Sequence, residues 1–308
     1  MISLLTSLKP FKGAAVRIQD NALGNWRRLD PTVEIILYGE GEGIVERASR
    51  FGARHVPDIR GNAKGIPDFS AIAEHATLNA KYDVQVYLNG DILLPPNFIH
   101  QLRKVSLRQY LIVGQRIDLD QESIFNQLAH DWNTEISRCA LAGKMQLHNP
   151  SGQDYFVFPR GLWKDLVPLI IGRGAYDNAL VAYCLRKNIP IIDATWSIHV
   201  VHQWHDYSHV KGVSETFGGV DALANKCRHD IEHSNPDIED AGWRLIKDKL
   251  IPSNGSPNLF RRLEVVLRYR WELKHLSYLC RAITRIAWVG GWLKPRKLLL
   301  ESVIQSES

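Results

Sequence analysis

The sequence predicts an α/β protein: a Rossmann-like sheet flanked by helices, followed by a basic helical tail. Three observations carry the prediction. Short apolar runs at 2–6 (ISLLT), 33–38 (VEIILY) and 84–88 (VQVYL) are each closed by Gly, Pro or polar residues, as buried strands are. Segments of helical spacing separate them. The excess positive charge lies beyond residue 258.

In chain order, MISLLTSLKPF lacks a basic leader, a long apolar stretch and a small-residue cleavage site, so it is expected to be a first strand and not a signal peptide. Residues 14–29 put Ala15, Ile18, Ala22, Trp26 and Leu29 at helical spacing, and 33–38 is the next strand. A short helix over 44–51 and a short strand over 54–56 follow. The stretch 68–80 opens on Asp68 as an N-cap and keeps helical spacing. Strand 84–88 runs into Asn89-Gly90-Asp91. A polar helical stretch is expected over 121–147, a strand at 154–158, a helix at 177–187 and a strand at 189–193. Strands alternating with helices argue for a parallel-type sheet. Pro252 to Pro257 reads as a linker, giving a domain over 1–250 and a basic amphipathic extension over 251–308.

The 308 residues include 45% apolar and 23% charged side chains, an ordinary globular composition that excludes a disordered or low-complexity chain. No apolar stretch reaches the ~18 residues of a membrane span. Four separated cysteines without a Cys-x-x-Cys pair exclude a zinc module or disulfide scaffold and fit a reducing cytosol. The net charge is +5. Residues 259–297 hold ten Lys/Arg against two acids, +8, and 298–308 carry −2, which leaves 1–258 at −1. A nucleic-acid binder would be basic in its body, so none is expected as a partner. Basic residues interleaved with Trp and Leu at helical spacing suit an anionic membrane surface, or a helical appendage with a solvated basic face.

Three segments can carry chemistry. In YLNGDILL (87–94) an apolar strand ends on Asn89-Gly90-Asp91. Ligands of open α/β sheets sit beyond the carboxyl ends of strands, and a carboxylate there suits a hard divalent cation. Asn-Gly-Asp is equally ordinary turn chemistry. His199, His202, His205 and His209 fall in eleven residues beside Asp206, Trp204 and Tyr207, and imidazole is a good metal ligand. Asp177 precedes the helix 179–187, as an N-cap or as a general base; Asp154 is a second candidate.

Together, T-S-L-K-P-F (6–11), Q-D-N-A-L-G-N-W (19–26), V-E-I-I-L-Y-G (33–39), G-N-A-K-G-I-P (61–67), Y-L-N-G-D-I (87–92), V-G-Q-R (113–116), D-Y-F-V-F (154–158), G-R-x-x-x-D-N (172–178) and H-Q-W-H-D-Y (202–207) resemble the glycosyltransferase-like proteins of the GT-A, nucleotide-diphospho-sugar transferase, fold. The resemblance spans about residues 2–210. It implies a mixed sheet flanked by helices and a hexosyltransferase-type enzyme of cell-surface polysaccharide synthesis. The donor would be a nucleoside-diphosphate sugar, the acceptor a saccharide or lipid-linked sugar, and the cofactor Mg²⁺ or Mn²⁺. Outside the resemblance, the basic and aromatic pattern of 259–297 adds the expectation of a cytoplasmic protein held peripherally on the inner face of the cell membrane.

Residue by residue, the resemblance implies that Thr6, Ser7 and Leu8 hold the nucleotide, with Glu40 at the base. Asn62 and Gly65 would face the nucleotide, and Asn89, Gly90 and Arg173 the donor. Asp91 matches the second acid of the metal motif, Asn89 standing where the first acid is usual. His202 would complete the metal shell, with His205 as the alternative. Asp177 matches the base of inverting members. Lys64 or Arg173 would add positive charge at the leaving diphosphate. Tyr155, Tyr176, Trp204 and His205 are candidates at the acceptor. Two alternatives remain: a non-catalytic sugar-nucleotide binder, to which Asn89 lends weight, and a nucleotidyltransferase, whose Gly-rich basic segment after the first strand TSLKPFKG lacks.

Overall fold

The computed structural model describes all residues except 121–124, 129–130, 205–212, 232–234, 254–258, 290–299 and 306–308. The first third runs β1 (Ile2–Ser7), α1 (Ala14–Leu29), β2 (Glu34–Tyr38), α2 (Ile44–Arg50), β3 (Arg54–Val56), α3 (Phe69–Asn79) and β4 (Val84–Leu88). The middle adds β5 (Ile92–Leu93), α4 (Phe98–Leu102), β6 (Leu111–Val113), β7 (Ile117–Leu119), α5 (Trp132–Leu141), β8 (Met145–Leu147) and β9 (Tyr155–Pro159). Then come α6 (Tyr176–Arg186), β10 (Ile191–Asp193), β11 (Val201–His202), α7 (Val213–Gly218), α8 (Val220–Arg228), β12 (Trp243–Ile246) and β13 (Lys249–Pro252). The tail holds α9 (Leu259–Val265), a π-helical turn (Val266–Arg270), α10 (Lys274–Val289) and α11 (Leu300–Gln305).

Among the described residues the strands form two sheets. The larger has the order β13-β12-β10-β6-β9-β4-β1-β2-β3, the smaller β5-β11-β7-β8. β1 lies parallel between β2 and β4, while β9 runs antiparallel to both β4 and β6, so the large sheet is mixed. Its central strands are mostly apolar because both faces are covered, with Ser3 and Thr6 of β1 and Gln85 of β4 buried among them. Leu4, Val86 and Leu88 enter one core with Trp26 and Leu23 of α1. Leu5 and Tyr87 enter the other with Phe69 and Ile72 of α3 and Leu180 of α6. Asp68 caps α3 as its sequence predicts, accepting from the Ser70 amide at 2.9 Å, and its carboxylate also accepts from the Leu169 amide at 2.8 Å.

Among the described residues of the polar helix expected over 121–147, α5 is the helical part. Asp131 caps its start by accepting from the amides of Asn133 and Thr134. Gly143, at φ 68°, closes it, with the Lys144 amide bonded back to the Cys139 carbonyl at 2.9 Å. The chain then turns into β8. The boundary expected at 250 falls inside β13, which is the edge strand of the large sheet. The tail is tied to the body by ion pairs: Arg261 to Asp240 at 2.8 Å, Arg268 to Asp230 at 3.3 Å and Lys274 to Asp230 at 2.8 Å.

One side of α1 fixes the segment that follows Asp91. Asn25 Oδ1 accepts from the Leu94 amide at 2.7 Å and its Nδ2 donates to the Leu94 carbonyl at 3.2 Å. Trp26 Nε1 donates to the Ile92 carbonyl at 2.9 Å. Removing Asn25 leaves two buried backbone groups unmatched. Asn25→Ala should therefore cost about 2–3 kcal/mol of stability, read as a lower urea midpoint; an unchanged midpoint would show that this clamp does not hold β5.

Candidate active site

The small sheet sets the site. β11 lies parallel to β7 with His202 opposite Asp118, and antiparallel to β5 with His202 opposite Ile92. β8 lies antiparallel to β7, with Asp118 opposite Gln146. The residue before β5, one in β11, one in β7 and one just past β8 are thereby gathered: Asp91, His202, Asp118 and His148. Asp118 is the hub. Its Oδ1 accepts from Arg116 Nε at 2.7 Å and lies 3.2 Å from His202 Nδ1; its Oδ2 lies 2.6 Å from His148 Nδ1. Arg116 also bridges to Asp154, at the head of β9 in the large sheet.

His202 Nε2 lies 3.7 Å from Asp91 Oδ2, beyond hydrogen-bond length. Asp91 is fixed through its backbone: its carbonyl accepts from the Gln203 amide at 3.1 Å. Gln203 Nε2 donates to the Ile18 carbonyl at 3.0 Å, and its Oε1 accepts from Asn21 at 3.0 Å, so α1 holds both strands of the pair. Gly90 lies against Leu8, where an added Cβ would come within 2.5 Å of the leucine methyl. The end of β1 and the Asn-Gly-Asp turn therefore touch.

Burial alone would raise the Asp118 carboxyl; hydrogen bonds from His148 and His202, with the Arg116 charge, outweigh it and hold it far below the usual carboxylate range. Burial pulls His202 down, and the Asp91 charge with the Asp118 bond overcomes that and raises it. Asp177 stands in the first turn of α6, half-buried, and burial pushes its carboxyl up to about 7, with the Asp154 charge adding to the shift.

The other expected site residues fall in several places. Asn89 donates through Nδ2 to Asp154 and accepts through Oδ1 from the Tyr176 hydroxyl at 3.3 Å. Both ends of its amide are engaged inside the protein, and α6 is tied to the Asn-Gly-Asp turn. Asp154 is engaged at both oxygens, by Asn89 and Arg116. Tyr155 is fully buried with its ring edge-on to Phe98, and its hydroxyl overlies Gly114, so it is core and offers no face to an acceptor. Tyr176 is likewise buried. Thr6 is fully buried, Ser7 half-buried, and Glu40 exposed past β2. Trp204 is exposed; His205 and His209 lie outside the described residues.

A second group gathers Asn62 and Arg173. Asn62 Nδ2 donates to Asp221 at 2.8 Å, and Arg173 lies 3.9 Å from the same carboxylate. Asn62 Oδ1 accepts from the amides of Lys64 and Ile66, which folds the loop around Gly65 at φ 73°. With Lys64, Gly219 and Val220 these residues line a cavity of about 350 Å³.

Asp118, His148 and Gln203 were not singled out by the motifs. A signal for the first was present: Arg116, Asp118 and Asp120 alternate with Ile117 and Leu119, the period-two pattern of a strand with one polar face.

The chain matches no protein-family model and no curated protein. Among solved structures it is similar to glucosyl-3-phosphoglycerate synthase from Mycobacterium tuberculosis, at 13% identity and a TM-score of 0.44, over 74% of this chain and 80% of that one. It is also similar to a mannosyltransferase from Pyrobaculum calidifontis solved with GDP-Man and Mn²⁺, at 13% identity and a TM-score of 0.45, over 93% of this chain and 75% of that one.

Two outcomes follow from the site's electrostatics. Asp118→Asn removes the negative charge that faces two imidazoles and Arg116, and replaces one of its two acceptor oxygens with a donor. It should cost about 2–4 kcal/mol, measured by urea denaturation at pH 7. The folded pKa of Asp177 lies above its ordinary value, so the native state keeps a proton that the unfolded chain has released. Stability should therefore fall as pH rises from about 4 to about 7 and level off above that. Asp177→Asn should flatten that decline and raise stability at pH 8 by roughly 1–2 kcal/mol. Parallel pH profiles of the two proteins would count against a protonated Asp177.

Proposed function

We propose that the chain is a hexosyltransferase-type glycosyltransferase, moving a sugar from a nucleoside-diphosphate sugar to a saccharide or glycolipid acceptor of cell-surface polysaccharide synthesis. The observation that carries this reading is the meeting of Asp91 and His202 at the end of β4, with Asp118 behind the imidazole. A carboxylate bonded to one ring nitrogen fixes the tautomer and aims the other nitrogen, the usual support of a metal-binding histidine. One carboxylate oxygen and one imidazole nitrogen suit Mn²⁺ or Mg²⁺. Among the described residues no three His, Cys, Asp or Glu side chains form a metal cage, so the remaining ligands would come from the donor diphosphate. A divalent cation held there by Asp91 and His202 would act as a Lewis acid on the leaving diphosphate.

The chain's own residues supply the rest of the proposed reaction. The acceptor oxygen attacks the anomeric carbon, the bond from that carbon to the diphosphate breaks, and Asp177 takes the acceptor proton. A carboxyl raised to about 7 suits a base working near neutral pH. The Tyr176–Asn89 bond supports this role, because it ties the start of α6 to the turn that carries Asp91. Lys64 and Arg173 line the cavity and would offset charge on the departing diphosphate. Ser7 and Leu8, Glu40, and the Asn62–Gly65 loop are the proposed nucleotide contacts; Trp204 and His205 are those of the acceptor.

Titration calorimetry with UDP, GDP and TDP, each with and without Mn²⁺, tests the reading. One nucleotide should bind in a Mn²⁺-dependent way and raise the melting temperature, and Asp91→Ala should weaken that binding by at least about tenfold. Nucleotide binding that is indifferent to both Mn²⁺ and Asp91→Ala would favour a non-catalytic binder.

A further inference from the structure

The cavity beside Arg173 is lined by two cations, Lys64 and Arg173, and, among the described residues, by one acid, Asp221. The proposed reaction leaves that acid unused. Asp221 stands in the first turn of α8 with its side chain 27% exposed. Its Oδ2 accepts from Asn62 Nδ2 at 2.8 Å and lies 3.9 Å from Arg173 Nε. The other end of the Asn62 amide shapes the loop, because its Oδ1 accepts from the amides of Lys64 and Ile66. One turn further along the same side of α8 is Asn225, fully buried. Its Oδ1 accepts from the Ile170 amide at 3.0 Å, and its Nδ2 donates to the Ile170 carbonyl at 3.0 Å. At the end of α7 the Thr216 carbonyl accepts from the Gly174 amide at 2.7 Å. One side of α8 therefore holds both walls of the cavity: the 61–66 loop through Asp221, and the segment leading to Asp177 through Asn225.

We infer that Asp221 is a positioning residue with two tasks: it anchors the Asn62 loop, and it keeps Arg173 at the cavity as a stand-in for the anionic diphosphate that the cavity takes. The two contacts of Asp221 differ in kind. The Asn62 bond has full hydrogen-bond length, whereas 3.9 Å to Arg173 is beyond it and leaves charge attraction alone. Arg116 marks the contrast, since its guanidinium is committed to close bonds with Asp118 and Asp154. Arg173 donates to the neighbouring Gly172 carbonyl at 2.9 Å and meets its acid loosely. A diphosphate oxygen at hydrogen-bond distance is the stronger partner, so Arg173 can pass to it while Asn62 stays on Asp221. The acid also competes with the anion it precedes: two cations against one acid leave the lining with a single net positive charge. Naming the anion as the donor's diphosphate rests on the transferase reading; the pairing of Asp221 with Asn62 and Arg173 does not.

Two substitutions separate the two tasks, with inorganic pyrophosphate titrated calorimetrically into the full chain as the probe. Asp221→Asn keeps an oxygen for Asn62 and removes the charge. It should bind pyrophosphate about three- to tenfold more tightly than the wild type, the effect of removing one negative charge a few ångströms from the anion. Asp221→Ala removes the loop's anchor as well, and should bind at least about tenfold more weakly than Asp221→Asn. Asn62→Ala should weaken binding by the wild type and add little to Asp221→Ala, as two residues acting through one bond do. A merely structural Asp221 predicts no gain in any variant, and damage to the fold cannot produce one. The inference is overturned if Asp221→Asn binds no more tightly than the wild type, or if the Asn and Ala variants bind alike. Pyrophosphate that binds none of these proteins overturns it too; Mn²⁺-dependent nucleotide binding would then keep the transferase reading and place the diphosphate elsewhere. Pyrophosphate that follows the expected order in a chain that binds no nucleotide would uphold the role of Asp221 and sink the transferase reading.

Discussion

The carboxylate of Asp118 is the interaction on which the site's geometry depends. It sits between Arg116, His148 and His202, and through Arg116 it reaches Asp154 in the other sheet. A buried carboxylate is costly unless its lone pairs are satisfied, and a buried guanidinium likewise. Here each satisfies the other, and the surplus bonding capacity of both locks the small sheet to the large one. The same contacts orient two imidazoles. His202 is thus aimed at Asp91 by a residue that never touches the space between them.

α1 plays the complementary part from the opposite side. Asn25 and Trp26 bond the backbone of β5, and Gln203, next to His202, bonds back to Ile18 and Asn21. The two segments carrying Asp91 and His202 are therefore fixed to one helix as well as to each other. That helix begins just after the end of β1, where Gln19 exchanges hydrogen bonds with the Lys9 backbone. The strand end, the helix and the Asn-Gly-Asp turn form one continuous rim.

Legibility in the sequence follows the range of the contacts. β1, α1, β2, α2, β3, α3 and β4 were readable because each is a local pattern, an apolar run or a helical stripe closed by a breaker, and each lies within a residue or two of its expected bounds. β7 and β8 were not assigned from sequence, because each has only three residues. β8 lies inside the stretch expected as a polar helix; it is a strand through its pairing with β7, and β7 through its pairing with β8 and with β11, distant in the chain. The same holds for individual residues. Asp91 and His202 stood out by motif, whereas the alternation over 116–120 marks Asp118 only as the polar face of a strand, and its place opposite His202 comes from a register with a strand distant in the chain. Asn89 illustrates the converse. It reads as a weakened metal ligand, and its amide instead joins Asp154 to Tyr176, a use visible only in three dimensions.

The charge balance of the rim connects these contacts to chemistry. Asp91, Asp118 and Asp154 bring three carboxylates together, and Arg116 is the permanent cation among them. With both imidazoles neutral the group carries an excess of two negative charges in a partly buried place. The upward shift of His202 is the response of the protein by itself: a proton on the imidazole relieves part of that excess. A divalent cation between Asp91 and His202 would relieve all of it, and it requires the imidazole without its proton. Proton and cation would therefore compete for the same nitrogen. Asn89 fits this balance. An aspartate in its place would add a fourth carboxylate against Asp154, whereas the amide donates to that acid and leaves the deficit at the value one divalent ion can neutralise.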